Sequence, residues 1–92
     1  MINTYAELKR KLQLGTEIIL IKSSVDKMHK YLGIKRAIIK VQTNAIKLEG
    51  GSWLGLGSTG EKASDFTYQD NGFTHTWDQG TTFQGFNTYE FA

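Results

Sequence analysis

Cysteine and proline are both absent from these 92 residues. Without cysteine, the chain can form no disulfide, no zinc-thiolate site and no thiol nucleophile, so burial of the core must hold the fold. Without proline, glycine, asparagine and aspartate are the strong turn-forming residues that remain, and their positions indicate where the chain reverses direction.

Long apolar segments are also missing. The longest aliphatic run covers residues 18–21, whereas a membrane-spanning helix needs roughly 18 apolar residues. The N-terminal stretch MINTYAELKRKL has no apolar stretch followed by a small-residue cleavage site, which is the pattern of a secretory signal peptide. We therefore expect a soluble, cytoplasmic protein with no membrane partner.

The residues that are present indicate one domain, residues 1–92, because a chain this short buries only about 60–65% of its unfolded surface and supports a single core. The net charge of +2 is unevenly distributed: residues 1–47 carry ten lysines and arginines against three acids, and residues 48–92 carry one lysine against six acids. This asymmetry has two interpretations: either the two halves form oppositely charged faces, of which the basic one attracts polyanions and the acidic one basic partners, or both are ordinary solvated faces.

The first third of the sequence predicts a helix and then a strand. Thr4 and Glu7 match a capping box at a helix N-terminus, and Gly15 is placed for a left-handed helix end. The four aliphatic residues 18–21 predict a strand buried on both faces, hence a central position in a sheet or a place in a closed barrel. Residues 23–33 are predicted to be a loop or one helical turn.

Residues 36–50 read as a β-hairpin with Thr43-Asn44 at its tip, although a four-residue loop stays open because threonine is a poor first residue of a two-residue turn. The two-residue loop separates an apolar from a polar face. It predicts the cross-strand pairs Val41/Ile46, Ile39/Leu48, Lys40/Lys47 and Gln42/Ala45.

A second hairpin is predicted with Asn71-Gly72 as its turn, one aromatic face and one threonine-rich face. Its predicted pairs are Phe66/Trp77, Tyr68/His75, Asp70/Phe73, Thr67/Thr76 and Gln69/Thr74. A three-residue loop at 78–80 then pairs His75 with Phe83 and Trp77 with Thr81, and Gly85 marks a bulge before a last strand.

Together these elements predict an α+β fold, in which an N-terminal helix accompanies an antiparallel sheet of about six strands. The short connections favour a strongly bent sheet or an SH3-like, partly open barrel with the helix over one opening.

Chemical sites are harder to find. The glycine-rich stretch 49–62 has G-x-G-x-x-G spacing at Gly55, Gly57 and Gly60, but no helix follows, and Glu61 stands where a phosphate-binding loop needs lysine. We interpret these glycines as turn residues flanking a short strand, SWLGL, and expect no cofactor.

The titratable residues likewise indicate no catalytic or metal site. His29 and His75 are the only histidines, and neither has metal-ligand spacing to carboxylates. We expect His75 in or at the edge of the core and His29 in solvent. Candidate acids, among them Asp65 and Asp78, occupy turns or strand ends where acids are common. The sequence therefore predicts a protein that is not an enzyme.

A partner-binding surface is the strongest functional prediction, and its residues are Arg36, Lys40, Lys47 and Trp53. Lys40 and Lys47 oppose one another on the outer hairpin face, where like charges repel, and Arg36 is expected to project from that same face. Trp53 is the aromatic residue expected to be partly exposed as an interface anchor. The competing interpretation is that long lysines simply extend into water.

Nucleic acid is the less favoured partner. Single-stranded nucleic acid binds exposed aromatic residues interleaved with basic ones, but the aromatic residues of this chain cluster in its acidic half. This separation favours a protein partner.

The segment KVQTNAIKLEGGSWLGLG (residues 40–57), together with the helix TYAELKRKLQLGT (residues 4–16), resembles small proteins of phages, prophages and mobile elements in Gram-positive bacteria. The resemblance implies a counter-defence or host-takeover factor, a group that includes anti-CRISPR proteins, acting in the bacterial host cell by occupying a host protein's surface. It brings no catalytic residues. We therefore expect an inhibitor of a host protein, most specifically of a CRISPR effector, and the alternative is a small nucleic-acid-binding regulator that uses the basic half. No small-molecule substrate is expected.

Overall fold

A computed structural model describes residues 4–43, 45–55, 66–77, 82 and 84–92. Helix α1 (Tyr5–Lys11) precedes strand β1 (Glu17–Ser23), which leads into a 3-10 helix (Asp26–Tyr31). The remaining strands are β2 (Lys35–Gln42), β3 (Ala45–Leu48), β4 (Trp53–Gly55), β5 (Phe66–Gln69), β6 (Gly72–Trp77) and β7 (Gly85–Phe91).

All seven strands form one antiparallel sheet in the order β4-β3-β2-β1-β7-β6-β5. The predicted α+β class is confirmed, but the strand count is wrong, since the sheet has seven strands and not about six. The sheet is not closed: its outer strands β4 and β5 are not hydrogen-bonded to one another in the described part of the chain.

Helix α1 begins as predicted. The backbone N–H of Glu7 donates to Thr4 Oγ1 at 3.2 Å, and this hydroxyl in turn donates to the Glu7 carboxylate at 3.3 Å. The helix ends earlier than predicted, because Leu12 is its C-cap. Gly15 does have a positive φ of 87°, but it lies beyond the helix, where its N–H donates to the Ile38 carbonyl at 2.9 Å.

The core lies between α1 and one face of the sheet. Its buried residues are Leu8, Leu12, Ile18, Leu20, Ile38, Ile46, Leu48, Leu54, Phe66, Phe73 and Tyr89. Each such side chain stabilises the fold by about 1.5–3 kcal/mol relative to full exposure.

Strand β1 is central in the sheet, as predicted, but it is not buried on both faces. Ile18 and Leu20 are each 1% exposed, whereas Ile21 is 45% exposed. The pairing with β7 shifts between Leu20 and Lys22, so Ile21 is an extra residue at an irregularity in the strand.

The first hairpin confirms three of the four predicted pairs, namely Val41/Ile46, Lys40/Lys47 and Gln42/Ala45. The Gln42/Ala45 pair leaves a two-residue loop, of which Asn44 lies outside the described residues. The Ile39/Leu48 pair is wrong, because a bulge places Ile38 opposite Leu48. As a result Ile38 is buried, and Ile39 is 51% exposed.

The second hairpin turns one residue earlier than predicted, at Asp70-Asn71, and its strand pairs are Phe66/His75, Thr67/Thr74, Tyr68/Phe73 and Gln69/Gly72. Gly72 belongs to the strand because β7 passes very close: a Cβ at Gly72 would lie 1.9 Å from the Tyr89 carbonyl oxygen. The shift preserves the faces, so Phe66 and Phe73 are buried while Thr67 is exposed, as predicted.

The predicted pairing of the last two strands is wrong. His75 lies opposite Asn87 and Trp77 opposite Gly85, which rules out pairing with Phe83 and Thr81 and makes the connection longer than three residues. Gly85 starts β7 and does not form the predicted bulge. A Cβ there would lie 2.3 Å from the Trp77 ring, so the indole packs directly over Gly85. Residues 78–81 and 83 lie outside the described residues.

Residues 23–33 contain more helix than predicted, since the 3-10 helix has six residues. Met28 of this helix packs against the core. No helix in the described ranges is long and apolar enough to cross a membrane.

Candidate functional site

A row of three side chains crosses β2, β3 and β4. Lys40 pairs with Lys47, which pairs with Trp53. The ammonium nitrogens of Lys40 and Lys47 lie 6.0 and 5.6 Å from the centre of the indole ring, within the range of a cation–π contact. Trp53 is 49% exposed, so the predicted partial exposure is confirmed. We call these three residues the basic row.

The core fixes the orientation of the basic row. Side chains alternate between the faces of a strand, and the neighbours Ile46 and Leu54 are buried at 0% and 3% exposure. Lys47 and Trp53 are therefore held on the opposite, outer face. The turn before β4 uses Gly50 and Gly51, whose φ values of 90° and 96° favour glycine.

Exposed aliphatic residues lie on the strand that carries Lys40. Ile39 and Val41, its two neighbours in β2, are 51% and 41% exposed. Val41 pairs with the buried Ile46 and therefore lies on the other face of the sheet from Lys40, so Ile39 is the exposed aliphatic residue next to the basic row.

Arg36 does not project from the face of Lys40, as the sequence predicted, but is buried at 4% exposure. The two residues are four positions apart, which in a regular strand places them on one face. The bulge at Ile38–Ile39 inserts an extra residue between them and reverses that relation. Only the register with β3 and the burial of Ile38 reveal the bulge, so strand alternation alone could not find it.

The buried guanidinium of Arg36 has three partners. Its Nη1 donates to the Glu49 carbonyl at 3.2 Å and to Ser52 Oγ at 2.9 Å, and the guanidinium carbon lies 3.9 Å from the centre of the Tyr31 ring. Nη2 is buried without a hydrogen bond, and no carboxylate among the described residues pairs with the group. Burial raises the pKa of the Tyr89 hydroxyl, and the positive charge of Arg36 partly offsets that rise.

A cleft of about 380 Å³ opens beside Arg36, between the end of the 3-10 helix and the turn after β3. It is lined by Lys30, Tyr31, Ile34, Lys35, Arg36, Glu49 and Gly50. We call it the Arg36 cleft. Three of these side chains are cationic, and one is anionic.

A second cavity, of about 360 Å³, lies between the 3-10 helix and strands β4, β6 and β7. His75, Trp77, Asn87 and Tyr89 line it together with Leu54. Strands β4 and β6 are not neighbours in the strand order, yet both contribute residues to this cavity.

The remaining candidates occupy separate places. His75 is 5% exposed and stacks on Phe66 at 4.7 Å between ring centres, so its prediction as a core residue is confirmed. His29 is exposed, as predicted, with Nε2 3.0 Å from the Ser23 carbonyl oxygen. Among the described residues, no three His, Cys, Asp or Glu side chains are placed to hold a metal ion.

The glycine-rich stretch lies partly within the described residues. Gly55 is in β4, and the turn role of Gly50 and Gly51 is confirmed. The predictions for Gly57 and Gly60 fall outside the described residues, as do those for Asp65 and Asp78.

Comparisons with protein-family models, with curated proteins and with solved structures found no match to this chain.

Proposed function

We propose that this protein is a non-enzymatic binding module that inhibits a host protein by covering an acidic surface on it with the basic row. The observation that supports this proposal is the half-exposed Trp53 beside two ammonium groups. Tryptophan is frequent among the residues that dominate interface energetics, and flanking cations steer an acidic partner toward it.

An exposed aliphatic residue favours a protein over other anionic partners. Ile39 immediately precedes Lys40 in β2 and is 51% exposed, and protein interfaces bury such apolar side chains. An aliphatic side chain has no flat ring on which a base could stack. A protein partner can therefore use Ile39 together with the three residues of the basic row.

Single-stranded nucleic acid is the second candidate, because the structure removes the main argument against it. The sequence appeared to separate aromatic from basic residues, yet strand pairing brings Trp53 next to Lys40 and Lys47. An aromatic ring flanked by cations is the arrangement on which single-stranded nucleic acid binds.

The most specific form of the proposal is an anti-CRISPR-like inhibitor acting in the cytoplasm of a bacterial host. It rests on the resemblance of residues 4–16 and 40–57 to small phage and mobile-element proteins. In this proposal the bent sheet is an SH3-like, partly open barrel within one domain, and Arg36 supports the contact from beneath by holding Glu49 and Ser52 in the turn before Trp53.

A charge-reversal experiment tests the basic row. The double variant K40E/K47E is compared with K22E/K27E, which changes the net charge equally but at lysines outside the row. Each is used to capture proteins from a host lysate, and the captured bands are quantified. We expect the wild type and K22E/K27E to capture the same host protein. K40E/K47E and Trp53→Ala should fail to capture it. A band retained by K40E/K47E would show that the basic row is not the contact surface.

Salt titration separates the two candidates. If the partner is single-stranded nucleic acid, the affinity for an oligonucleotide should fall steeply as the salt concentration rises, because each neutralised phosphate releases counterions. A protein inhibitor instead saturates at fixed stoichiometry with a shallower dependence. The anti-CRISPR form also predicts that expression of the chain restores plaque formation by a CRISPR-targeted phage, and that K40E/K47E does not.

A further inference from the structure

We propose that the Arg36 cleft is a binding site for a phosphomonoester that carries an apolar group. Its phosphate would lie among the cations of Lys30, Lys35 and Arg36, and its apolar part would contact Ile34. This site is separate from the basic row, because the bulge in β2 places Arg36 and Lys40 on opposite faces of the sheet.

The first argument is the electrostatic state of Arg36. A buried cation is costly unless a counter-charge and hydrogen bonds replace the lost water. Arg36 is only 4% exposed, and the groups that replace its lost water are one carbonyl, one hydroxyl and one aromatic ring. Its Nη2 has no hydrogen bond. The carboxylate that would neutralise the group is missing from its described surroundings, so a bound anion completes the site.

The second argument is that the lining residues do not provide that anion themselves. Glu49 is the acidic residue of the lining, and Arg36 binds its backbone carbonyl rather than its carboxylate. The carboxylate is engaged elsewhere, accepting the backbone N–H of Ala37 at 2.7 Å. Lys30 and Lys35 then add two exposed ammonium groups at the same cleft. The lining as a whole has an excess of positive charge that suits a dianion.

The third argument concerns the shape of the ligand. A volume of about 380 Å³ holds more than a bare phosphate, and it falls within the range of small-molecule sites. Ile34 is 49% exposed at this cleft and offers an apolar contact. We do not assign the apolar group of the ligand a stacking contact with Tyr31, because two cations of the protein already lie over that ring. The Arg36 guanidinium carbon is 3.9 Å from the ring centre, and the Lys30 ammonium nitrogen is 5.1 Å from it.

The phosphate need not touch Nη2, which the surrounding atoms shield. Coulomb interactions fall off only as the inverse of distance, and they are stronger beside a low-dielectric interior than in water. Direct hydrogen bonds come from Lys30 and Lys35, which bind phosphate as mobile point charges. Arg36 provides fixed positive charge at the base of the cleft.

The probe for this site is phenyl phosphate, titrated into the full chain and followed by backbone amide resonances. We expect saturable shifts at Tyr31, Ile34 and Gly50. Inorganic phosphate, which lacks the apolar group, and phenol, which lacks the charge, should each bind at least about tenfold more weakly. Equal affinity for phenyl phosphate and either fragment would contradict the proposed ligand class.

Matched variants locate the site. We expect K30Q/K35Q to weaken phenyl phosphate binding about tenfold or more, and K22Q/K27Q, which removes the same charge from outside the cleft, to change it less than about twofold. Phenyl phosphate should also raise the melting temperature of the wild type, and Arg36→Met should abolish that rise. If that variant fails to fold, K30Q/K35Q alone decides the question. Three results would overturn the proposal: no saturable shifts in the wild type, shifts centred on the basic row, or equal weakening of binding by the two double lysine variants. None of these results depends on whether the basic row binds a host protein.

Discussion

Lys47 pairs with Trp53 across β3 and β4, and its ammonium nitrogen lies 5.6 Å from the centre of the indole ring. On its other side Lys47 pairs with Lys40, a cation facing a cation. The contact with the ring contributes about 0.5–1 kcal/mol at an exposed site, and like charges directly opposite one another cost a similar or smaller amount. The two effects largely offset one another, so the pairing of the two lysines adds little net stability to the fold.

Replacing Lys40 with glutamate should stabilise the protein while removing part of the proposed contact surface. K40E turns the repulsion with Lys47 into attraction and leaves the contact between Lys47 and Trp53 in place; the contact of Lys40 with Trp53 that it removes is the longer of the two, at 6.0 Å. We expect the free energy of unfolding at low salt to rise by about 0.5 kcal/mol and the gain to shrink in 1 M salt, where the Debye length is about 3 Å. Urea denaturation measures this effect. Lys27→Glu is the control, and a loss of stability in K40E would contradict the account.

Gly72 should tolerate no side chain. A Cβ at this position would lie 1.9 Å from the backbone oxygen of Tyr89, which cannot move without breaking the pairing of β6 with β7. We expect Gly72→Ala to lower the free energy of unfolding by about 3 kcal/mol or more.

Gly15 provides the matched control for that substitution. Its φ is 87° and no atom lies within 4 Å of a Cβ there, so Gly15→Ala should cost only the left-handed strain of about 1 kcal/mol. Denaturation of both variants in urea compares the two effects. Since Gly72 does not have a positive φ, a loss there no larger than that at Gly15 would show that β7 moves aside to accommodate the added methyl group.

The sequence predicted those elements that depend on local chemistry. Thr4 caps α1 because a hydroxyl at that position meets a free N–H of the first turn, and the Lys40/Lys47 pair follows from the two-residue loop of the first hairpin. Both signals lie within a few residues of the structure that they specify.

The errors in strand register arise where pairing with another strand, rather than local alternation, sets the position of a residue. The bulge at Ile38–Ile39 buries Arg36, and the approach of β7 moves the second turn from Asn71-Gly72 to Asp70-Asn71. Asn71 is held by β7 as well, since its side-chain amide donates to the Phe91 carbonyl at 2.9 Å. The residues joined in these contacts are 10 positions apart for Ile38 and Leu48, 17 for Gly72 and Tyr89, and 20 for Asn71 and Phe91, and alternation of polar and apolar residues does not encode such pairings. The Arg36 cleft was missed for this reason, because a lysine-rich strand pattern carries no sign that one of its cations is buried.

The N-cap of α1 predicts a measurable loss on removal of one hydroxyl. Thr4→Ala deletes the acceptor for the Glu7 N–H and should lower the free energy of unfolding by about 1 kcal/mol, whereas Thr4→Ser keeps the hydroxyl and most of the stability. Because Leu8 and Leu12 of α1 are in the core, the loss should appear in global unfolding followed by tyrosine and tryptophan fluorescence. A loss confined to the exchange of the first few amides would show that the first turn frays independently of the core.

Tyr89 should make the protein sensitive to alkaline pH. Burial raises the pKa of its hydroxyl above the ordinary value of 10.0, so the folded chain holds this proton more tightly than the unfolded chain does. The resulting stabilisation is fully present below the unfolded pKa of about 10, and it is lost as pH rises from there toward the folded pKa.

Tyr89→Phe removes this ionisable group, so its free energy of unfolding should fall less than that of the wild type between pH 8 and about pH 11. Tyr68, whose pKa burial also raises, accounts for part of the remaining fall, and the variant Y68F/Y89F should be flatter still. Arg36 provides an independent check, because its positive charge lowers the pKa of Tyr89. In Arg36→Met, ultraviolet titration should therefore show one tyrosine ionising at higher pH than in the wild type. An unchanged titration would mean that Arg36 and Tyr89 are electrostatically independent, and the field that we assign to Arg36 at the base of its cleft would then be too weak to hold an anion.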